Sequence, residues 1–218
     1  MIIHDKARDL RPARLNMWES FYWQASIPLN LPDVKSVIDF GSGRNLTKAI
    51  LEHYDIKCFT VDVSPVYKPD MVAPIQKGLK ISPADLVSCF QCLEHNPYEE
   101  VDELIDTLIS YSKKYLLLSL PYNGCYFSFR SSIRLPKIAK SFKMLFTVCG
   151  LGGRHIDENK LDLKTDPYRH HRWELGRPNH KLSDFKRKTK NLGLKHLMTQ
   201  HNVNYPHHVF LLFENEKK

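Results

Sequence analysis

The stretch Val37-Ile38-Asp39-Phe40-Gly41-Ser42-Gly43-Arg44-Asn45 constrains the fold more than any other part of the chain. Apolar residues surround one acid, and a Gly-x-Gly turn then opens a helix-like run over 46–54. This reads as a buried parallel strand, a tight turn and a helix N-terminus. The turn needs backbone angles that side chains resist, and a ligand there lies directly against the main chain. Free N–H groups at the following helix start favour anionic or polar ligand groups. Lys57-Cys58-Phe59-Thr60-Val61 reads as a second strand ending in Asp62. An acid at that point, about 20 residues past the glycines, is placed to hydrogen-bond a ribose diol. Gly-x-Gly alone also marks ordinary tight turns; the acid on the next strand is what points to a nucleoside. The third glycine of the dinucleotide fingerprint is missing, because Asn45-Leu46-Thr47 follow the Gly43 turn. That moves the reading from a dinucleotide toward S-adenosylmethionine.

A chain of 218 residues suits one domain with a sizeable core. Its hydrophobic fraction of 42% and charged fraction of 26% are those of a soluble globular protein. No run approaches a membrane span. The start, Met1-Ile2-Ile3-His4-Asp5-Lys6, lacks an apolar secretory core, so a cytoplasmic protein is expected. Five cysteines, an odd number and scattered, fit a reducing compartment rather than a disulfide framework. The net charge of +8 admits nucleic acid or an anionic membrane surface as partner without demanding either.

Residues 37–120 alternate strand and helix signals, the mark of a doubly wound parallel sheet. Strands are predicted at 37–40, 57–61, 85–90 and 115–120, with a short one near 70–73. Helices are predicted at 46–54 and 98–112. The second carries Val101, Leu104, Ile105, Leu108 and Ile109 on one face and acids elsewhere.

Three stretches together carry a family resemblance. Asp85-Leu86-Val87-Ser88-Cys89-Phe90-Gln91-Cys92-Leu93-Glu94-His95 resembles the fourth-strand motif of class I S-adenosylmethionine-dependent methyltransferases, and its Leu-Glu-His ending resembles the small-molecule branch. Tyr115-Leu116-Leu117-Leu118-Ser119-Leu120-Pro121 resembles their fifth strand, and the glycine turn with Asp62 resembles their first two motifs. His171-Arg172-Trp173-Glu174-Leu175-Gly176 is similar to a stretch in a bacterial group of these enzymes with no assigned substrate. The resemblance implies a Rossmann-like methyltransferase fold: an α/β, doubly wound, mostly parallel seven-stranded sheet with an antiparallel C-terminal strand. It implies S-adenosylmethionine as cofactor and S-adenosylhomocysteine as product. Cofactor contacts are expected at Asp39, Gly41, Ser42, Gly43, Asn45, Asp62, Val63, Ile75, Phe90 and Gln91. One departure stands out. Pro74 occupies the position after the third strand where many relatives carry an acid for the adenine amino group.

His95 falls at the C-terminal sheet edge, where open α/β sheets bind ligands, and is the candidate general base. Its alternative role is to cap the following helix. Cys89-x-x-Cys92-x-x-His95 has a metal-like spacing, but no second cysteine pair accompanies it, so no metal site is expected.

The remainder divides into flanking segments of a single 1–218 domain. Residues 1–36 read as an N-terminal helical cap, with a helix to about Gln24 and an extended linker from Pro28 to Pro32. Its aromatics Trp18, Phe21, Tyr22 and Trp23 either lid a pocket or pack on the sheet. Residues 122–180, about 60 in number, are too long for a plain connection and read as an inserted substrate cap. Within it, 127–148 is amphipathic with a basic polar side. It is either a solvated cap helix or a surface for an anionic membrane or an acidic substrate. Gly150-Leu151-Gly152-Gly153 is the hinge candidate. Acceptor contacts are expected from Tyr22, Tyr122, Tyr126, His170, His171 and Trp173, with Trp173 as a loop anchor in the alternative reading. A helix at 182–191 and strands at 194–203 and 208–214 then close the sheet. From Arg177 to Lys195 there are seven Lys or Arg against one acid, Asp184, which is either a phosphate-binding face or a solvated helix face.

The expected function is methyl transfer from S-adenosylmethionine to an oxygen or nitrogen of a small-molecule acceptor. The alternatives are an RNA (tRNA or rRNA) methyltransferase and a non-catalytic S-adenosylmethionine-binding module. Against nucleic acid, Cys92-Leu93-Glu94-His95 stands where base amino methylation would call for an Asn-Pro-Pro-Tyr type of motif.

Overall fold

The computed structural model describes residues 15–135, 140–150 and 170–217. In chain order they form α1 (Leu15–Leu29), β1 (Ser36–Phe40), α2 (Leu46–His53), β2 (Lys57–Asp62), β3 (Met71–Val72), β4 (Ala84–Phe90), α3 (Val101–Ser110), β5 (Ser112–Pro121), β6 (Cys125–Leu135), β7 (Lys140–Gly150), α4 (Leu182–Asn191), β8 (Leu194–His201) and β9 (His208–Asn215). Seven strands make one sheet in the order β3-β2-β1-β4-β5-β9-β8. The β3–β2, β2–β1, β1–β4 and β4–β5 pairs are parallel. β9 runs antiparallel to both neighbours. The chain steps outward from β1 through β2 to β3, then returns to β4 on the other side of β1. The C-terminal ends of β1 and β4 are therefore the switch point, where an open α/β sheet has its crevice.

Alternation along each strand explains why these segments are apolar throughout. Val37, Leu86 and Leu117 face Ile27 of α1 and Leu51 of α2 in one buried cluster. Ile38, Val87, Leu116 and Leu118 face Val101, Ile105 and Leu108 of α3 and Phe185 of α4 in the other. A parallel sheet covered on both sides cannot spare either set. Each such side chain contributes about 1.5–3 kcal/mol by leaving water.

Two expectations need correction. α1 runs on to Leu29 with Pro28 inside it, rather than yielding to an extended linker. Ala25 and Ile27 are buried and Gln24 accepts a hydrogen bond from Thr47 Oγ1 at 2.6 Å, so packing carries the helix past the one backbone bond that Pro28 cannot donate. Residues 127–148 are not a cap helix. β6 and β7 pair antiparallel from Cys125↔Gly150 to Leu135↔Lys140 as a separate two-stranded sheet. The stretch carries Phe127, Phe129, Ile133, Phe142, Phe146 and Val148, which suit strands, and its basic residues do not override that preference. Gly152 and Gly153 of the hinge candidate lie outside the described residues, as does the side chain of Tyr126.

After the hairpin the chain returns across the C-terminal edge of the sheet. Arg172 N–H donates to the Glu94 carbonyl at 2.8 Å, Leu175 N–H to Pro121 at 2.9 Å, and Asn123 N–H to Leu175 at 2.8 Å. Gly176 has φ +82°, and a Cβ there would stand 2.5 Å from the Gly124 nitrogen, so only glycine fits. Trp173 is fully buried, stacks near Phe185 at 6.3 Å, meets Tyr98 edge-on at 5.1 Å and donates Nε1–H to the Asn96 carbonyl at 3.0 Å. With its ring against Tyr98 and Phe185 in the core, it anchors the returning strap, the alternative reading of this residue.

Trp173→Ala removes this volume and strands the Asn96 carbonyl. Urea unfolding followed by circular dichroism should show a loss of about 3–5 kcal/mol. A change under about 1 kcal/mol would show that the strap is held elsewhere.

Candidate active site at the sheet edge

The turn after β1 is built by main-chain bonds. Gly41 N–H donates to the Val61 carbonyl at 2.8 Å, and Gly43 N–H to Asp62 Oδ2 at 2.9 Å. Ser64 N–H donates to the other Asp62 oxygen at 2.8 Å. Asp62 thus joins the end of β2 to the turn after β1. Gly41 (φ +71°) lies against Cys92, whose Sγ would be 2.9 Å from an added Cβ. Over Gly43 (φ +53°) an added Cβ meets nothing within 4 Å, so the main chain there is open to a ligand. Asn45, also left-handed at φ 56°, precedes α2 and donates Nδ2–H to the Tyr67 carbonyl at 2.9 Å. Ser42 Oγ and Asn45 Oδ1 are buried without hydrogen-bond partners among the described residues. Unpaired buried polar atoms are costly, and two at one turn leave bonding capacity that a polar ligand could fill.

Under this turn lies Asp39, nearly fully buried, accepting from Ser88 Oγ at 2.7 Å. Burial raises its pKa to about 7; the Ser88 bond opposes the shift and the Asp62 charge adds to it. Of the other expected cofactor contacts, Val63 is 42% exposed just past β2, and Ile75 is half-buried against the core. Phe90 is less open than expected: its ring packs against Phe210 at 6.2 Å within the core. Gln91 follows it in a left-handed conformation (φ 49°), held by its N–H to the Ser119 carbonyl at 2.9 Å and its Nε2 to Ser119 Oγ at 3.2 Å. Such a strained non-glycine residue beside a ligand crevice persists because β5 over-determines it. Pro74 is exposed, so no carboxylate stands at that adenine position.

Beyond Gln91 the fold gathers titratable groups that lie far apart in the chain. His95 Nδ1 lies 3.1 Å from the His170 carbonyl. His171 Nδ1 lies 3.1 Å from Glu174 Oε1, and its ring is 5.4 Å from that of His95. Glu174 also accepts from Asn123 Nδ2 at 2.8 Å and Arg177 Nε at 2.7 Å. Burial opposes its charge, yet these bonds and the guanidinium bring its pKa down to about 2. Burial likewise opposes charge on His171, but the Glu174 bond and the Glu94 and Glu174 charges raise its pKa overall. Glu94 is completely buried, with no hydrogen-bond partner for either carboxylate oxygen among the described residues. Burial lifts its pKa to about 7, opposed by His171.

The six acceptor expectations fare differently. Tyr122 is buried at the end of β5, with His201 4.9 Å away. His170 contributes its carbonyl and His171 its ring to the cluster. Tyr22 is 59% exposed on α1 and meets Trp23 at 5.0 Å. Glu94, Glu174 and His207 carried no assigned role in the sequence. The signal that could have found Glu94 is its place in the Leu-Glu-His turn four residues past β4; His207 reaches the cluster only through the β8–β9 connection.

Two clefts lie away from this edge. One of about 590 Å³ opens at the N-terminal ends of β1, β2 and β4 beside Lys57 and Lys113. The other, about 410 Å³, lies between Tyr98, Asp102 and α4. Within that basic stretch Lys188 pairs with Asp102 at 2.9 Å and Lys195 with Glu214 at 3.2 Å, which offsets part of its positive charge. Among the described residues, no helix is long and apolar enough to cross a membrane.

No protein-family model matches the sequence, and no curated protein matches it. Solved structures do resemble it. Magnesium protoporphyrin IX methyltransferase from Synechocystis PCC 6803, with bound S-adenosylmethionine, superposes with a TM-score of 0.59 at 15% identity, covering 94% of this chain and 82% of that one. The 1,6-didemethyltoxoflavin N1-methyltransferase of Burkholderia thailandensis, solved with S-adenosylhomocysteine, gives 0.59 at 9% identity over 97% and 83%. An amino pentose methyltransferase from Micromonospora echinaspora gives 0.57 at 9% identity over 99% and 97%. The chain therefore has the Rossmann-like fold of class I methyltransferases, with the mostly parallel seven-stranded sheet and antiparallel C-terminal strand that the resemblance implied.

Asp39 gives the turn a pH signature. Its pKa is raised in the folded state, so its stabilising contribution is complete below about pH 4 and is lost as pH rises through about 7. Asp39→Asn keeps an acceptor for Ser88 and removes the titration. Urea midpoints at pH 5 and pH 8 should differ less in the variant than in the parent, by about 2–3 kcal/mol after conversion. Parallel pH profiles would place the ionisation elsewhere.

Proposed function

We propose that the protein transfers a methyl group from S-adenosylmethionine to an oxygen or nitrogen of a small-molecule acceptor. The observation that carries this reading is the turn after β1, where two orphaned polar atoms and an open Gly43 face stand at the switch point. The comparison structures support it, since they are methyltransferases of a porphyrin, a didemethyltoxoflavin and an amino pentose. When bound, the cofactor supplies a methyl group activated by a sulfonium. Asp62 is the group for the ribose hydroxyls: its oxygens already accept from Gly43 and Ser64 and retain lone pairs for a diol. Ser42 and Asn45 offer unpaired oxygens to the donor's polar groups. Val63 and Ile75 are the apolar neighbours for the base.

On the acceptor side, positioning dominates. The segment 122–180 leaves from the end of β5 on this edge, and we assign it the choice of acceptor, with Tyr122 and the returning residues 170–176 forming its inner side. His95 is the proton acceptor where the attacking atom must lose a proton; its Nδ1 faces the His170 carbonyl, so Nε2 carries the lone pair of the neutral ring. Among the described residues the thiols of Cys58, Cys89, Cys92 and Cys125 are free, which suits a reducing compartment such as the cytoplasm.

Isothermal titration with S-adenosylhomocysteine tests the donor site. A charged hydrogen bond to the ribose is worth about 1.5–3 kcal/mol, so Asp62→Ala should weaken binding tenfold or more. Equal affinity in parent and variant would sink the ribose assignment. Release of S-adenosylhomocysteine over a metabolite library then separates an enzyme from a binding module.

A further inference from the structure

We propose that Glu94, His95 and His171 form a binding site for a divalent transition-metal ion beside the donor site, with an open coordination position for the acceptor. The ligand atoms of these three residues lie within 4.8 Å of one another, and Glu94 Oε1 stands 3.9 Å from His171 Nε2. Two donors on one tetrahedral ion lie about 3.4 Å apart at ordinary bond lengths. The observed spacing closes to that value with small side-chain adjustments.

Tautomers supply the second argument. The His170 carbonyl can only accept, so the proton of neutral His95 sits on Nδ1 and the lone pair on Nε2. Glu174 does the same for His171. Histidine ligands typically hand their other N–H to a carbonyl or carboxylate, which fixes the ring and raises its basicity. Here both histidines are so held, one by each kind of acceptor. Glu174 itself is neutralised by Arg177 and Asn123, so it orients rather than ligates.

Glu94 supplies the third. A fully buried carboxylate with no hydrogen-bond donor on either oxygen among the described residues is an expensive arrangement for a protein to keep. A cation between Glu94 and the two rings satisfies it. His171 is 29% exposed, which leaves a path for an ion to enter. Two imidazoles and one carboxylate form a borderline donor set that suits zinc, iron or cobalt over calcium or magnesium. Three protein ligands leave a position open, the pattern of catalytic rather than structural sites. Cysteine spacing in the sequence argued against metal; the ligands proposed here come instead from a Glu-His pair after β4 and a histidine that the strap returns to the same edge.

The acceptor's place on the ion rests on the methyl-transfer reading, whereas ion binding does not. An oxygen or nitrogen of the acceptor held there would release its proton to solvent water more readily, and His95 would then be a ligand rather than the base.

The test uses the full chain, stripped with chelator and titrated with cobalt(II) by visible absorption, then with zinc(II) by competition. One ion per chain is expected. Glu94→Gln and His171→Ala should each weaken binding at least tenfold, and Glu174→Ala, which frees the His171 ring, by about 10–100-fold. His207→Ala should stay within about threefold, since His207 belongs only to the neighbouring His171–Glu174–His207 group. Thermal unfolding of each variant checks its fold, and the near-isosteric Glu94→Gln decides where an alanine variant fails to fold. Absence of saturable binding, or binding unchanged by Glu94→Gln and His171→Ala, overturns the site. Titration of the same samples with S-adenosylhomocysteine keeps the readings apart. Cofactor binding without metal binding removes this inference alone, and metal binding without cofactor binding removes the methyl-transfer reading while the ion site stands.

Discussion

The bond from Gly43 N–H to the Asp62 carboxylate is the point on which the crevice at the switch point turns. It ties the turn after β1 to the end of β2, and its partner bond to Ser64 N–H sets the direction of the chain as it leaves β2. One carboxylate thus shapes the crevice floor through both of its oxygens. That economy is available because backbone N–H groups satisfy an acid without a cation, leaving its remaining lone pairs directed outward. The parallel sheet supplies the rigidity: β1 is flanked by β2 and β4, and both faces are sealed by helices.

The strap across the sheet edge is built on a different principle. Residues 170–176 add no regular strand, yet three backbone bonds and one tryptophan fix them across the sheet edge. Trp173, Leu175 and Gly176 are structural: two fill the core, and the glycine permits a close crossing. Their interleaved neighbours His171 and Glu174 face the edge. A buried anchor every second residue is how a loop holds polar groups to a fixed geometry, since the anchor's packing suppresses the rotation that an exposed loop would have.

Electrostatics follow burial rather than net charge. The overall +8 says little about an edge where Asp39 and Glu94 both have raised pKa values from burial, while Glu174 is held well below the usual range by Arg177, Asn123 and His171. Carboxylates within one region titrate apart because their donors differ, not their distance from solvent alone. Such separation is a feature of sites that move protons or hold ions.

Much of the fold was legible in the sequence, because a sheet buried on both faces must announce itself as apolar runs of strand length. The strands at 37–40, 57–61, 85–90 and 115–120, the closing pair near 194–214 and the positions of Gly41, Gly43 and Asp62 all follow from local pattern. Periodicity failed where packing outvoted it: α1 passes through Pro28, and the basic stretch after residue 125 pairs as a hairpin. The role of Trp173 was open between anchor and pocket wall, because an aromatic in a polar loop looks the same for either purpose until its neighbours are known. What only the tertiary structure decided is the meeting of Glu94, His95, His171, Glu174 and His207. They come from a turn after β4, a strap some 76 residues beyond it and the β8–β9 connection. No spacing rule in one dimension reports that convergence, since it is set by where strands end in space and not by how far apart residues lie along the chain.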